Sequence, residues 1–374
     1  MNPIQMVDLK SQYQKIKNEI NDGIAEVIES SAFINGPTVH GFQLALENYL
    51  SVKHVIPCGN GTDALQIAMM ALGLKPGDEV ITSAFTFIAT AEVLGLLGLK
   101  TVFVDVEAHT FNMNVAEIEK AITPKTKAIV PVHLFGQCCD MEPLLALAKK
   151  YNLFVIEDAC QAIGADYTFK DGTIKKAGTM GTIGCTSFFP SKNLGCYGDG
   201  GALFTHDDEL ARLMRGIVNH GMFKRYYHEM IGVNSRLDSI QAAILSVKLK
   251  HLDKYAAARR SAANFYNEAF AGNPKLITPL CTDYSSHVFH QYTLRLRNVD
   301  RTKLIENMNA VRVPVMIYYP VPLHLQNAFA SLGGKIGDLP VTEALCNEVI
   351  SLPMHTELSL EQLEWITRHL LKFL

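Results

Sequence analysis

The chain has 374 residues, with 34 Lys plus Arg against 37 Asp plus Glu and a formal net charge of −3. Hydrophobic residues make up 48% and charged residues 19%, a globular composition that excludes a largely disordered or collagen-like chain. So even a balance gives no clustered cationic surface for gripping nucleic-acid phosphates, and no nucleic-acid partner is expected. No apolar run approaches the roughly 20 residues of a membrane helix. VLGLLGL, for example, stops at Lys100, so no membrane partner is expected either. The opening MNPIQMVDLKSQYQ lacks a cationic start followed by an apolar stretch and is not expected to be a signal peptide. The eight cysteines show no CxxC pair, which suits a reduced, cytoplasmic setting.

Along the chain, strand-like and helix-like segments alternate. HVIPC (54–58) reads as a strand and 62–73 as a helix. GDEVITS (77–83) contains a strand, 86–97 is a helix, KTVFVDV (100–106) a strand and 116–122 a short helix. KAIVPVHLFG (127–136) is a strand running into a loop, 140–151 a helix and NLFVIED (152–158) a strand. TIGCTSFF (182–189) and GGALFT (200–205) are two more strands. Short apolar runs between helices predict an α/β fold with a mainly parallel sheet buried on both faces. Ligands are then expected at the carboxyl ends of its strands. Residues 207–217 read as a helix, 220–232 as a polar aromatic loop and about 237–271 as a long helical stretch. HQYTLRLR (290–297) and VPVMIYY (313–319) read as strands, the Pro and GlyGly clusters of 320–340 as loops, and EQLEWITRHLLKFL as a closing helix. The expected domains are a large one over 1–249 and a smaller C-terminal α/β domain over 250–374.

Four segments fall where such a fold places a site. CGNGTDAL (58–65) puts Gly61 and Thr62 at a helix start, where free N–H groups and the helix dipole favour an anion such as phosphate. The same residues also suit a plain glycine turn with Thr62 as N-cap. FTFIATAE (85–92) offers Phe85 or Phe87 to cover a planar ring, or to pack in the core. LFVIEDACQA (153–162) sets Glu157 and Asp158 at the end of an apolar run, so at least one carboxylate reaches the sheet edge, where it needs a partner. In TSFFPSKNLGCYGDGGA (186–202), Lys192 stands between an apolar strand and a Gly-rich turn. A lone lysine is ordinarily a solvated charge, but in a tight aromatic loop it is a candidate for a depressed pKa and Schiff-base chemistry. Ser187 adds a hydroxyl to an anion site. A phosphate cradle, a carboxylate, a reactive lysine and a stacking aromatic, in this order, are the parts that bind pyridoxal phosphate. His133, His220, His228, His287 and His290 form no HxH or HExxH spacing, and no metal is expected.

The set GNGTDAL, FTFIATAE, VIEDACQAIGA, TSFFPSKNLGCYGDGGA and NSRLDSIQAAIL resembles the DegT/DnrJ/EryC1/StrS family of nucleotide-sugar aminotransferases over nearly the whole chain. The resemblance implies the aspartate-aminotransferase-like fold (fold type I), pyridoxal 5′-phosphate as cofactor and a homodimer with sites shared across subunits. By the same resemblance, Lys192 is the lysine that carries the cofactor aldehyde and Asp158 the partner of its pyridine nitrogen. Gln161 lies beside the 3′-oxygen, Gly61, Thr62 and Ser187 hold the phosphate, and Phe87 is the stacking aromatic. Asn234 reaches the phosphate region of the neighbouring subunit. Retention of Lys192 separates the chain from the dehydratase branch, which carries His there. GQCCDM, HGMFKRYYHE and GVNSRLDSIQAAIL resemble most the enzymes that aminate UDP-2-acetamido-2-deoxy-3-oxo-D-glucuronate for bacterial O-antigen (lipopolysaccharide) sugars, with L-glutamate as donor. Arg236 then faces the sugar carboxylate or makes an interface salt bridge, and Tyr319 and His324 lie on the substrate side. Tyr318 stands where those relatives carry His, and His324 where they carry Asn. A dTDP-linked 3- or 4-keto-6-deoxyhexose is the alternative substrate, and a non-catalytic pyridoxal-phosphate-binding regulator the alternative of another class. His220, Lys224, Arg225 and His228 belong to a solvated loop or to a contact with the nucleotide diphosphate.

Overall fold

The computed structural model describes residues 3–374. Met1 and Asn2, which open the expected large domain and the N-terminal segment read above, lie outside the described residues. In chain order the strands are β1 (His54–Cys58), β2 (Glu79–Ser83), β3 (Lys100–Val104), β4 (Thr126–Val130), β5 (Phe154–Asp158), β6 (Asp166–Thr168), β7 (Ile174–Lys176), β8 (Ile183–Ser187) and β9 (Gly201–Thr205). After them come β10 (Met222–Lys224), β11 (Tyr227–His228), β12 (Leu276–Ile277), β13 (Tyr292–Leu296) and β14 (Val349–Leu352). The main sheet runs β1-β9-β8-β5-β4-β2-β3. From β8 to β3 every neighbouring pair is parallel, and β9 is antiparallel to both β8 and β1.

β2, β8 and β9 are buried at every residue, which is why they read as short apolar runs rather than alternations. The faces still alternate by residue. Val80, Ala128 and Ile156 join one core with the helices Gly61–Ala71 and Asp208–Ile217. Their neighbours Ile81, Ile129 and Val155 join the opposite core with Ile118 and Leu144 from the helices Val115–Ala121 and Met141–Tyr151. The sheet is thus covered on both faces, and its connections converge at the carboxyl ends of β5 and β8.

The same packing makes one glycine irreplaceable. A Cβ on Gly184 of β8 would run into the backbone of Gly178. Gly184→Ala is therefore expected to destabilise the fold by at least the roughly 1–3 kcal/mol of an overpacked core. A fall in the urea midpoint checks it, and an unchanged midpoint contradicts it.

A second, antiparallel sheet has the order β12-β13-β14. It packs on the helices Leu252–Phe270, Arg301–Ala310 and Leu360–Phe373 around Tyr266, Phe270, Leu294, Leu304, Met308, Ile350 and Ile366. Helix Leu252–Phe270 joins the two regions: Leu252 and Ala256 enter cores of the large sheet, and Ala262 to Phe270 enter the core of the small one. Among the described residues no helix is long and apolar enough to cross a membrane.

Several segments differ from the sequence reading. The long helical stretch is two helices, Ser239–Leu249 and Leu252–Phe270, with the chain turning at Lys250 and His251. The loop 220–232 contains the hairpin β10–β11. The stretch 313–319 is not a strand. Met316 alone pairs with Ser351, because Pro314 and Pro320 take away ladder donors on either side, and the sheet position goes to β14. Residues 320–340 hold the short turns Leu323–Leu325 and Asn327–Leu332 before a helix that starts at Pro340.

Candidate active site

β1 delivers the chain to the helix Gly61–Ala71. The N-cap is Asn60, not Thr62: its side chain accepts from Asp63 N at 2.8 Å. Gly61 and Thr62 therefore occupy the first turn, with N–H groups aimed outward at the positive end of the dipole. A Cβ on Gly61 would sit 2.7 Å from Ser187 Cβ and 3.0 Å from Cys160 Sγ. Only glycine permits that approach, and it brings Ser187, at the end of β8, against the helix start.

β5 ends in the two acids, and strand alternation sends them apart. Glu157 is fully buried. It accepts from Gly178 N at 2.9 Å, Met180 N at 2.6 Å, Gly181 N at 2.5 Å and His133 Nε2 at 2.8 Å. Cys139 N donates to His133 Nδ1 at 3.1 Å, so the Nε2–H is the one that points at Glu157. Glu157 and His133 are thereby taken up by structure. Asp158 faces the cavity, 5% exposed, with Thr90 Oγ1 donating to it at 2.7 Å and Cys160 N at 3.2 Å.

β8 and β9 are joined by the lysine loop. Lys192 N donates to Phe189 O at 2.8 Å, and Phe188 exchanges bonds with Gly200 and Cys196 at 2.7 and 2.8 Å. Lys248 Nζ, buried in a neighbouring helix, donates to Gly195 O at 2.7 Å. Lys192 forms no salt bridge among the described residues. Burial pushes its pKa below the usual lysine value, and the Coulomb pull of Cys160 and Asp158 opposes that only in part. A larger share of uncharged amine at neutral pH follows, which is what a nucleophilic lysine requires.

These parts surround one cavity of about 760 Å³. Lys192, Asp158, Gly61, Thr62, Ser187, Gln161, Phe87 and Tyr319 all line it. Phe85 does not. It is 1% exposed and packs on Phe111 and Phe135, whereas Phe87 is 55% exposed at the cavity wall. Gln161 Oε1 accepts from Phe135 N at 2.7 Å, and its Nε2 donates to Tyr319 OH at 3.1 Å. Burial raises the pKa of Tyr319, which keeps its hydroxyl protonated.

Three expected residues are not on this wall. Asn234 and Arg236 flank Ser235, whose hydroxyl accepts from Gly59 N at 2.8 Å and donates to Asp63 Oδ2 at 2.6 Å. Their segment is tied to the cavity edge while neither side chain lines the cavity. His324 is 5% exposed and its Nε2 meets Glu343 Oε1 at 3.2 Å. The hairpin holding Lys224, Arg225 and His228 is exposed and also lies off the wall. Sequence reasoning missed Thr90, Cys160, Asp199, His290 and Gln291, which do line the cavity. Thr90 lies inside FTFIATAE and Cys160 inside the acidic motif, so nearness to named motifs was the available signal for those two. Among the described residues no group of three or more His, Cys, Asp or Glu could hold a metal ion.

A half-buried lysine without a salt bridge among the described residues and a carboxylate in one cavity, beside a glycine-cradled helix start on a mainly parallel sheet, define a vitamin B6-dependent transferase of fold type I. The chain belongs to the DegT/DnrJ/EryC1/StrS aminotransferase family, which matches residues 14–371. It is 48% identical over 372 residues (99% of this chain, 98% of the relative) to a "Pleiotropic regulatory protein" of Geobacillus stearothermophilus. It is 46% identical over 352 residues (94% of this chain, 95% of the relative) to the UDP-2-acetamido-2-deoxy-3-oxo-D-glucuronate aminotransferase of Pseudomonas aeruginosa. Among solved structures, DesV of S. venezuelae in complex with a ketimine intermediate superposes with a TM-score of 0.95 at 36% identity, covering 100% of this chain and 98% of that one.

Proposed function

We propose that the protein is a pyridoxal 5′-phosphate-dependent aminotransferase that moves the amino group of L-glutamate onto UDP-2-acetamido-2-deoxy-3-oxo-D-glucuronate. On this reading it serves bacterial O-antigen sugar synthesis as a cytoplasmic homodimer. The observation that carries the reaction class is the single cavity shared by Lys192, Asp158 and the first turn of the helix Gly61–Ala71. The similarity to the P. aeruginosa enzyme supports the sugar.

The residues present fit the cofactor. The missing Cβ of Gly61 lets Ser187 close on the helix start, so the first-turn N–H groups and the Ser187 hydroxyl stand together on the cavity wall, which suits a phosphate. Phe87 would cover the ring, Gln161 would meet the 3′-oxygen and Asp158 would hold the pyridine nitrogen. When bound, pyridoxal phosphate supplies an electron sink for charge developing at the donor's α-carbon. Thr90 and the Cys160 amide orient Asp158 and satisfy part of its acceptor capacity without neutralising it, so its charge favours a protonated ring nitrogen. Lys192 would hold the cofactor's aldehyde, and its freed amine would move a proton at the donor's α-carbon, first as base and then as acid. The donor would leave as 2-oxoglutarate with uptake of water, and the keto sugar would take the amine with loss of water, Lys192 moving the protons in reverse. Two half-reactions in one site give ping-pong kinetics.

The site is completed by a second subunit in this proposal. Asn234 reaches the partner's phosphate region, and Arg236 pairs with the substrate carboxylate. Tyr319 and His324 stand on the substrate side. Arg236→Ala is expected to raise KM for a uronate by roughly 10–100-fold, as for loss of a hydrogen bond to a charged group. For a 6-deoxy sugar it should leave KM nearly unchanged. Equal effects on both take Arg236 out of carboxylate recognition.

The deciding experiment is turnover of purified protein with glutamate and a panel of keto sugars, read by mass spectrometry. Amination of a dTDP-linked keto-6-deoxyhexose in preference to the uronate selects the alternative substrate, which His324 favours. The regulatory relative motivates one more reading: cofactor that never cycles to its amino form with any amino acid would mark a non-catalytic regulator.

A further inference from the structure

The turn before β13 is held from three directions. Asn193, the residue after Lys192, donates through Nδ2 to Val288 O at 2.9 Å. Val288 N donates to Gly136 O at 2.9 Å. Arg259, 3% exposed, donates through Nη1 to Phe289 O at 3.0 Å, His290 O at 3.3 Å and Met354 O at 3.0 Å. Arg259 has no carboxylate partner among the described residues, so the whole stabilisation of this buried cation comes from backbone carbonyls. Phe289 sits at φ 44°, a conformation that a bulky residue keeps only when its surroundings enforce it. What this clamp presents to the cavity is His290. His290 is 5% exposed, lines the same cavity as Lys192, and keeps Nδ1 buried without any hydrogen-bond partner. His251, His324 and His355 also keep a buried ring nitrogen without a hydrogen-bond partner, but of the four only His290 lines the wall that carries Lys192.

We propose that His290 is a positioning residue for Lys192: as the lysine amine swings to capture the cofactor, the imidazole becomes its hydrogen-bond acceptor and keeps that amine turned toward the cofactor aldehyde. This rests on the reading of Lys192 as the residue that carries the cofactor. Burial, together with the charges of Lys192 and Arg259, holds the imidazole uncharged far below its ordinary pKa. The other groups that feel Lys192 are less suited to the task. Asp158 is already engaged by Thr90 and the Cys160 amide. The Cys160 thiol is held protonated by burial and by Asp158, which makes it a weak acceptor. In capture of the cofactor the amine nitrogen attacks the aldehyde carbon, a C=N bond replaces C=O and water leaves. No oxidant is needed, but the amine must be uncharged and correctly aimed.

The test follows covalent capture of pyridoxal phosphate by full-length apo-protein, read as the absorbance change of the lysine adduct, alongside steady-state kinetics and a thermal midpoint. His290→Phe is expected to slow capture roughly tenfold or more and to lower kcat without a matching rise in KM for the keto sugar. His290→Gln, which keeps an acceptor in the same space, should recover most of the capture rate. Folded His290→Phe capturing at the wild-type rate overturns the proposal, and so does an equal loss in the Phe and Gln variants. If His290→Phe does not fold, His290→Asn against His290→Ala gives the same ranking: Asn above Ala supports the role, and equality overturns it. Lys192→Ala runs as the control. Covalent capture by that variant refutes the reading of Lys192 itself, whereas its absence together with unaffected His290 variants refutes only the positioning role.

Discussion

Lys192→Ala protein is expected to bind pyridoxal phosphate reversibly, to lose the covalent link, and to turn over at background level. In the proposed reaction the amine has two jobs that no neighbour can assume: to hold the cofactor aldehyde, and to carry the proton at the donor's α-carbon. A positioned acid–base alone contributes about 10²–10⁴-fold, and loss of the covalent step adds to this, so the expected effect is at least about 10⁴-fold in single turnover. The other cavity groups able to take a proton are disfavoured as substitutes. His290 is held neutral far below its usual pKa, and the Cys160 thiol is held protonated. Reductive trapping followed by peptide mass analysis checks the link, and stopped-flow absorbance checks the half-reaction. A trapped adduct at another lysine, or a half-reaction near the wild-type rate, would overturn the assignment.

The second large effect is expected from Asp158→Asn. The amide keeps nearly the same shape and can still accept from Thr90 and the Cys160 amide, so the fold and cofactor binding should survive. What disappears is the negative charge facing the ring nitrogen. In a water-poor cavity a fixed charge directed at a developing one is worth far more than in bulk solvent. Loss of one such group typically costs about 10²–10³-fold in kcat, and a fall of that order with retained cofactor is the expected result. Glu157→Gln separates charge at this site from charge nearby. Glu157 faces away, into four N–H donors, so its loss should lower the unfolding midpoint well before it changes the chemistry of the folded fraction. A near-wild-type half-reaction in Asp158→Asn would remove the carboxylate from the mechanism.

Much of the main sheet was legible because its signals are local. The runs at 54–58, 152–158 and 200–205 are strands within two residues of where the sequence places them. Each is a short apolar stretch bounded by turn residues, and both faces are covered, so hydrophobic content alone marks it. The second half was less legible. The third strand of the small sheet is VISL at 349–352, not VPVMIYY, because two prolines outweigh a β-branched run once the ladder needs donors. The helices Arg301–Ala310 and Pro340–Glu348 were not expected at all. The second follows a loop-like, Gly- and Pro-containing stretch whose composition obscured a short amphipathic pattern.

The sequence by itself determined which chemistry this protein carries. A lysine in a Gly-rich aromatic loop, an acidic pair ending an apolar strand and a glycine at a helix start are recognisable from residues adjacent in the chain. Tertiary structure alone decided how those residues are used. It separated Asp158 from Glu157 by face, turned Phe85 into the core and left Phe87 at the cavity wall, gave the N-cap to Asn60, and left Asn234, Arg236 and His324 off the wall of their own cavity. It also brought His290 to Lys192 from 98 positions away in the chain. The physical reason is that alternation along a strand reveals that two faces exist, while the strand order and the elements packed on each face determine which of them is left open to a ligand.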